Sequence, residues 1–157
     1  MSLGDDLIWE VRAFIYAWFA DRTQPPRAED TAQHFGLAPE QAGALYRELH
    51  ERHAIFLEPG TLSIRMAFPF SGVPTDFRVR ANGKTYYANC AWDMLGIPAA
   101  LHSEAAIHAV CAESGEPLGL EVRQDRVAVL APTGGGSQVK IHFAVPFSRW
   151  YDDLVHT

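Results

Sequence analysis

Along the first fifty residues, apolar positions recur at intervals of three and four. Ile8, Val11, Ile15, Trp18 and Phe19 fall on one side of a helical projection, which predicts a long amphipathic first helix. Asp5 and Asp6 stand at its start, where the positive end of a helix dipole favours carboxylates. Pro25 and Pro26 end it. A short second helix fits residues 28–35, with Gly36 as its stop. Pro39 suits the first turn of a third helix, and Ala42, Leu45, Tyr46 and Leu49 give that helix one apolar face.

At Ile55 the period shortens. Two β-prone runs flank Glu58-Pro59-Gly60-Thr61, which reads as a hairpin turn. Three helices and then a hairpin is the winged-helix order. A second hairpin is signalled by Asn82-Gly83. Residues 91–101 are apolar and helix-prone, although Gly96 and Pro98 limit their regularity. The runs AIHAVC, LGLEVR and RVAVLAP read as strands joined by tight turns, QVKIHFAVPF reads as a further strand, and residues 150–155 as a short closing helix. The expected class is α+β, with a helical, winged-helix-like module at residues 1–66 packed on a β-rich module at residues 67–157.

Composition narrows the possibilities. With 157 residues, 48% of them apolar and 20% charged, the chain is an ordinary folded domain or two small ones sharing a core. No apolar run approaches the ~18 residues of a membrane span, and the N-terminus does not have the pattern of a secretory signal. The expectation is a cytoplasmic protein with no membrane partner. A net charge of -6 disfavours nucleic acid, whose binding rests on Lys and Arg neutralising phosphates. The third helix agrees with this, since Arg47 and Arg52 are offset by Glu40, Glu48 and Glu51. His34, His50 and His53 are expected to face solvent and carry no metal-ligand pattern. The two cysteines, Cys90 and Cys111, form neither a disulfide framework nor a zinc motif.

The candidate chemistry lies at Cys90 and Asp93, three residues apart at the head of the apolar segment. On a helix both would share one face. Backbone N–H groups at a helix start favour thiolate, whereas a neighbouring carboxylate opposes it, and apolar neighbours such as Trp92 and Leu95 raise the carboxyl's own pKa. The pair could share a proton, with the thiol as a soft ligand. A plainer reading is a buried cysteine acting as a small hydrophobe beside a helix-capping aspartate. A thiol hydrolase would need a histidine base, for which His108 and His142 are the available residues.

Around this pair the chain resembles the alkylmercury lyase (organomercurial lyase) family. The likeness is carried by Tyr87, Ala88, Cys90, Ala91, Asp93, Leu95 and Pro98-Ala99, with Leu101 close by. The stretch from Cys111 is similar to a later Cys-x-x-x-Gly-x-Pro segment, and Ile141-His142-Phe143 to a Val-His-Phe strand. The family cleaves carbon–mercury bonds by protonolysis with two cysteines and an aspartate. The resemblance therefore implies Cys90 and Asp93 as catalytic groups and as the groups meeting substrate-derived mercury. It implies no resident cofactor and a small organomercurial or other soft-metal ligand as partner. The second catalytic cysteine is expected just before the Val-His-Phe strand, near Gln138, and no cysteine follows Cys111. Cys111 matches a structural cysteine of the family. The chain is thus a divergent member, for which an external thiol could serve as co-substrate. Two alternatives stand beside a lyase: a non-catalytic soft-metal or small-ligand binder on the same scaffold, and a winged-helix metal-responsive regulator.

Overall fold

The computed structural model describes residues 3–131, 139–143 and 145–152. It is a mixed helix-and-sheet protein. Three helices open the chain: α1 (Leu3–Arg22), α2 (Ala28–Phe35) and α3 (Pro39–Glu51). Ile8, Val11, Ile15 and Phe19 of α1 are all buried, as their spacing predicts. Side chains three residues inside α2 and α3 turn back to cap them. Asp30 accepts the Arg27 N–H at 2.8 Å and Gln41 accepts the Ala38 N–H at 2.9 Å. Gly36 ends α2 in the left-handed region, φ 65°. Tyr46 is fully buried and its hydroxyl lies 2.7 Å from Thr31 Oγ1. Burial pushes that phenol up to about 12, so it stays neutral and serves α2–α3 packing.

A small antiparallel sheet follows, in the order β1 (Phe56–Leu57), β2 (Ile64–Ala67), β3 (Phe70–Ser71). Position 66/67 falls inside β2, and β3 continues the same sheet. The second sheet has the order β5-β4-β6-β7-β8, antiparallel throughout. Its strands are β4 (Arg78–Ala81), β5 (Lys84–Tyr87), β6 (Ala105–Val110), β7 (Pro117–Arg123) and β8 (Arg126–Ala131). The β4–β5 turn has both Asn82 and Gly83 at positive φ, the geometry for which Asn-Gly is suited. A Phe70–Ala88 bridge joins the two sheets.

Helix α4 (Asp93–Leu101) lies between β5 and β6 in sequence. It runs through Gly96 and Pro98 despite the irregularity they suggest. Gly96 packs closely on Pro69, where an added Cβ would stand 3.0 Å from Pro69 Cβ, tighter than an ordinary contact. One apolar core includes Ile8, Ile15, Leu49, Ile64, Phe70, Tyr86, Ile97 and Ile107, drawn from both halves of the chain. Two polar ties reinforce the union of α1 with the β4–β5 hairpin. Tyr86 donates to Ala20 O at 2.7 Å, and Lys84 Nζ meets Asp21 Oδ1 at 3.0 Å.

The C-terminal part departs from expectation. Residues 139–143, expected in a strand, form none. They lie across the second half's helix start instead, with the Phe143 ring 6.0 Å from that of Trp92. The closing helix is a 3-10 turn at Phe147–Asp152, earlier than the 150–155 expected; residues 153–155 lie outside the described residues. Gln138, marking the expected second cysteine, also lies outside them. Among the described residues, no helix is long and apolar enough to cross a membrane.

Candidate functional site

Cys90 and Asp93 come together because strand β5 runs straight into α4. Thr75 Oγ1 donates to Ala88 O at 2.6 Å and so fixes the end of the strand. The chain then turns, and Cys90 O accepts the Met94 N–H at 3.2 Å, the first bond of the helix. Cys90 thus precedes α4 rather than lying inside it, and the backbone N–H groups of Trp92 and Asp93 point at its sulfur. The thiol lies 3.5 Å from Asp93 Oδ2 and donates to it.

Asp93 is 7% exposed, an unusual burial for a carboxyl outside an ion pair. Burial raises its pKa from the ordinary 3.8 to about 6, against the opposing pull of hydrogen bonds from Asn89 and Cys90. Burial also pushes the Cys90 thiol up, and the Asp93 charge adds to this; the two backbone N–H groups act in the other direction and lose. At neutral pH the pair therefore holds its shared proton on sulfur, aimed at a carboxylate able to take it.

Asn89 is a member of this group that the sequence pattern did not single out. Its Nδ2 donates to Asp93 Oδ2 at 3.3 Å and to Phe70 O at 3.2 Å, anchoring the carboxylate to β3. Its Oδ1 is buried with no hydrogen-bond partner among the described residues. The signal available beforehand was only its place next to Cys90; β3 itself is two residues long and gave no periodicity.

The pair opens into a cavity of about 60 Å3, walled by Phe68, Trp92, Ile141, Phe143 and Trp150. His142 lines it too, whereas His108 stands exposed on β6 outside that lining. The thiol's bond is to a carboxylate, which does not make the thiol–imidazole pair of a hydrolase. A wider cleft of about 480 Å3 lies along the other side of α4, lined by Leu95, Pro98 and Ala99, but neither Cys90 nor Asp93 reaches it. The chemistry favours the smaller cavity, where a nucleophile and an acid converge.

Cys111 belongs elsewhere. It sits at the β6–β7 turn, where its N–H donates to Glu116 O at 2.9 Å, and its thiol is free. Bonds from Ser114 and from the Ser114 and Glu113 N–H groups pull this half-buried thiol down. It is not among the residues lining the Cys90 cavity. His34, His50 and His53 are exposed as expected, and no group of three or more potential ligands is gathered for a metal ion among the described residues. The histidines serve packing: His34 stacks on Phe14 at 4.3 Å and His53 on Tyr151 at 4.2 Å.

Helices and two antiparallel sheets joined through one core, with a thiol and a buried carboxyl in an aromatic-walled cavity, define a small mixed helix-and-sheet protein with a thiol–carboxyl pair at the junction of strand and helix. The chain belongs to the alkylmercury lyase family, whose MerB model matches residues 70–156. It is 34% identical over 61 residues to alkylmercury lyases of Bacillus cereus and Clostridium butyricum, a stretch covering 39% of this chain and 28% of each relative. Its fold is similar to that of the mercury-bound form of MerB2, with a TM-score of 0.62 and 23% identity over 77% of this chain and 60% of that one. The chain thus spans little more than a quarter of the curated relatives it matches.

Proposed function

We propose that the protein is an alkylmercury lyase-like enzyme in which Cys90 captures the metal of an organomercurial and Asp93 carries the proton that releases the hydrocarbon. The observation that carries this reading is the Cys90 thiol held 3.5 Å from a carboxyl whose pKa is raised to about 6. Mercury is soft and thiolate is its matching ligand. When sulfur bonds mercury, the organomercurial's other ligand leaves as an anion and the thiol proton passes to Asp93. Cleavage then returns that proton: the carbon–mercury bond breaks, its electron pair takes the proton from Asp93, and the hydrocarbon departs. Mercury remains on Cys90 sulfur with a free coordination position. An acid near neutrality suits both halves of this exchange.

A thiolate on mercury pushes electron density toward carbon, and a second strengthens the push. The sequence has no cysteine beyond Cys111. The reading is therefore of slow turnover that an external thiol accelerates. The helical half, with its winged-helix-like order, serves as a platform for the cavity; the Arg52–Glu48 pair and the acidic balance of α3 speak against a DNA-reading or metal-regulatory role. Such a protein suits the cytoplasm, where thiols are plentiful.

The test uses the Cys111→Ser protein, so that only one thiol can take the metal. One equivalent of methylmercury should give one adduct by intact mass, mapped to Cys90. Methane release should be slow, and faster with excess thiol. An adduct that forms and never releases methane under any thiol concentration would favour a soft-metal binder on this scaffold. Absence of any adduct at Cys90 would remove the mercury reading.

A further inference from the structure

We propose that β8 is a docking edge for a second copy of this chain, the two β8 strands pairing antiparallel about a two-fold axis at Ala128. β8 ends the five-stranded sheet, bonded to β7 on one side and, among the described residues, to no strand on the other. Its free side therefore presents unpaired backbone N–H and C=O groups. Two rows of apolar side chains run out of the core to this edge. Cross-strand partners share a face, so Ile107, Leu120 and Val129 form one row and Ala105, Val122 and Val127 the other. Exposure climbs from 1% at Ile107 and 4% at Leu120 to 44% at Val129, and Val127 ends its row at 51%. The buried face of the sheet thus continues to the edge and stops uncovered, with Val127 lining the wide cleft beside α4. Edge strands that avoid pairing carry charges or proline. The only charge in β8 is Arg126, and its ladder to β7 stays regular from Arg126 to Val129.

The occupant follows from Val127-Ala128-Val129, which reads the same in both directions. Antiparallel pairing with an identical strand about Ala128 sets Val127 opposite Val129 of the second copy, Val129 opposite its Val127, and Ala128 opposite itself. The four valines lie on one face, because alternate residues of a strand point the same way. They cover the open ends of both rows. The two Arg126 side chains stand four residues apart along the paired strands, roughly 13 Å, so like charges do not meet. A foreign strand would gain the backbone bonds without this register. A ladder of about five residues is roughly 17 Å long and buries well under the ~1,600 Å2 of a standard interface. The dimer is therefore weak and concentration-dependent, and it is independent of the chemistry at Cys90.

Sedimentation equilibrium of the full chain from about 10 μM to about 1 mM, the range suited to so small an interface, should show a reversible monomer–dimer equilibrium. Val129→Lys and, separately, Val127→Lys should each raise the dissociation constant at least tenfold; both side chains are about half exposed in the monomer, so neither change disturbs its core. The register is read with Ala128→Cys in a Cys90→Ser, Cys111→Ser background, where the introduced thiol is the only one. Oxidation with copper phenanthroline should join two copies through it, since paired Cα atoms about 4.5–5.5 Å apart lie within disulfide reach. Arg126→Cys in the same background should not cross-link, its counterpart being roughly 13 Å away. A monomer throughout the concentration range overturns the proposal. So does a dimer that both lysine variants leave intact, or one in which Arg126→Cys cross-links as fast as Ala128→Cys.

Discussion

The two cysteines occupy opposite environments. Cys90 is half-buried at the start of α4, its thiol pushed up by burial and by the Asp93 charge. Cys111 sits on a hairpin turn, its thiol pulled down by hydroxyl and backbone donors. By acidity alone Cys111 is the more reactive thiol. Yet among the described residues it is Cys90, not Cys111, that lines the aromatic-walled cavity with a carboxyl within hydrogen-bond reach of its thiol. In the proposed reaction, capture of a soft metal followed by protonation of carbon, a thiol that still holds its proton is an advantage, because that proton is the one such a reaction would consume. The comparison separates general nucleophilicity from a built site.

The sharpest way to break the contrast is to remove each thiol. Cys90→Ser in the Cys111→Ser background should lose the organomercurial adduct entirely by intact mass. In the otherwise unaltered chain, Cys111→Ser should leave the Cys90 adduct in place.

Asp93 offers the next largest effect. Its folded value, about 6, lies above the ordinary 3.8. The carboxyl therefore contributes its full stability below pH 3.8, and that contribution is lost as the pH rises through 6. At pH 8 the buried charge costs the fold about 3 kcal/mol, from about 1.4 kcal/mol for each pH unit. Asp93→Asn should accordingly raise urea-unfolding stability by up to that amount at pH 8, and by almost nothing at pH 3.5. An equal gain at both pH values would show that the carboxyl is not perturbed.

Alkylation sharpens the comparison between the thiols. Iodoacetamide at pH 7 should label Cys111 roughly tenfold faster than Cys90, and the gap should narrow as the pH rises and Cys90 ionises. Peptide mapping over time gives both rates. Asn89→Leu should have the smallest effect. With the Asn89 bond gone, the Asp93 titration midpoint, read by carboxyl carbon NMR, should move upward by roughly one pH unit or less.

The helical half was legible because its apolar residues repeat on a single face; Ile8, Val11, Ile15 and Phe19 are all buried. The β4–β5 hairpin was legible from Asn82-Gly83, where local backbone chemistry decides the turn. Residues 139–143 read as a strand and form none; the Phe143 ring lies against Trp92 and Trp150 instead, contacts that no periodicity records. The spacing of Cys90 and Asp93 allowed a shared face, and the geometry brings them to 3.5 Å. Asn89 could not be found that way, since its partner Phe70 O lies on β3, nineteen residues earlier. Gly96 looked like a helix weakness and proved to be a contact with Pro69, which also depends on the fold rather than on local propensity.

The most direct measurement is methane release from preformed methylmercury adducts of the Cys111→Ser protein and of its Asp93→Ala derivative, with excess thiol present. The account predicts equal adduct on Cys90 in both, methane from the first, and at least a hundredfold less from the second, because metal capture needs sulfur and protonation of carbon needs the carboxyl. Equal methane from both proteins would contradict it, since the proton would then come from solvent or added thiol and Asp93 would have no part in the chemistry.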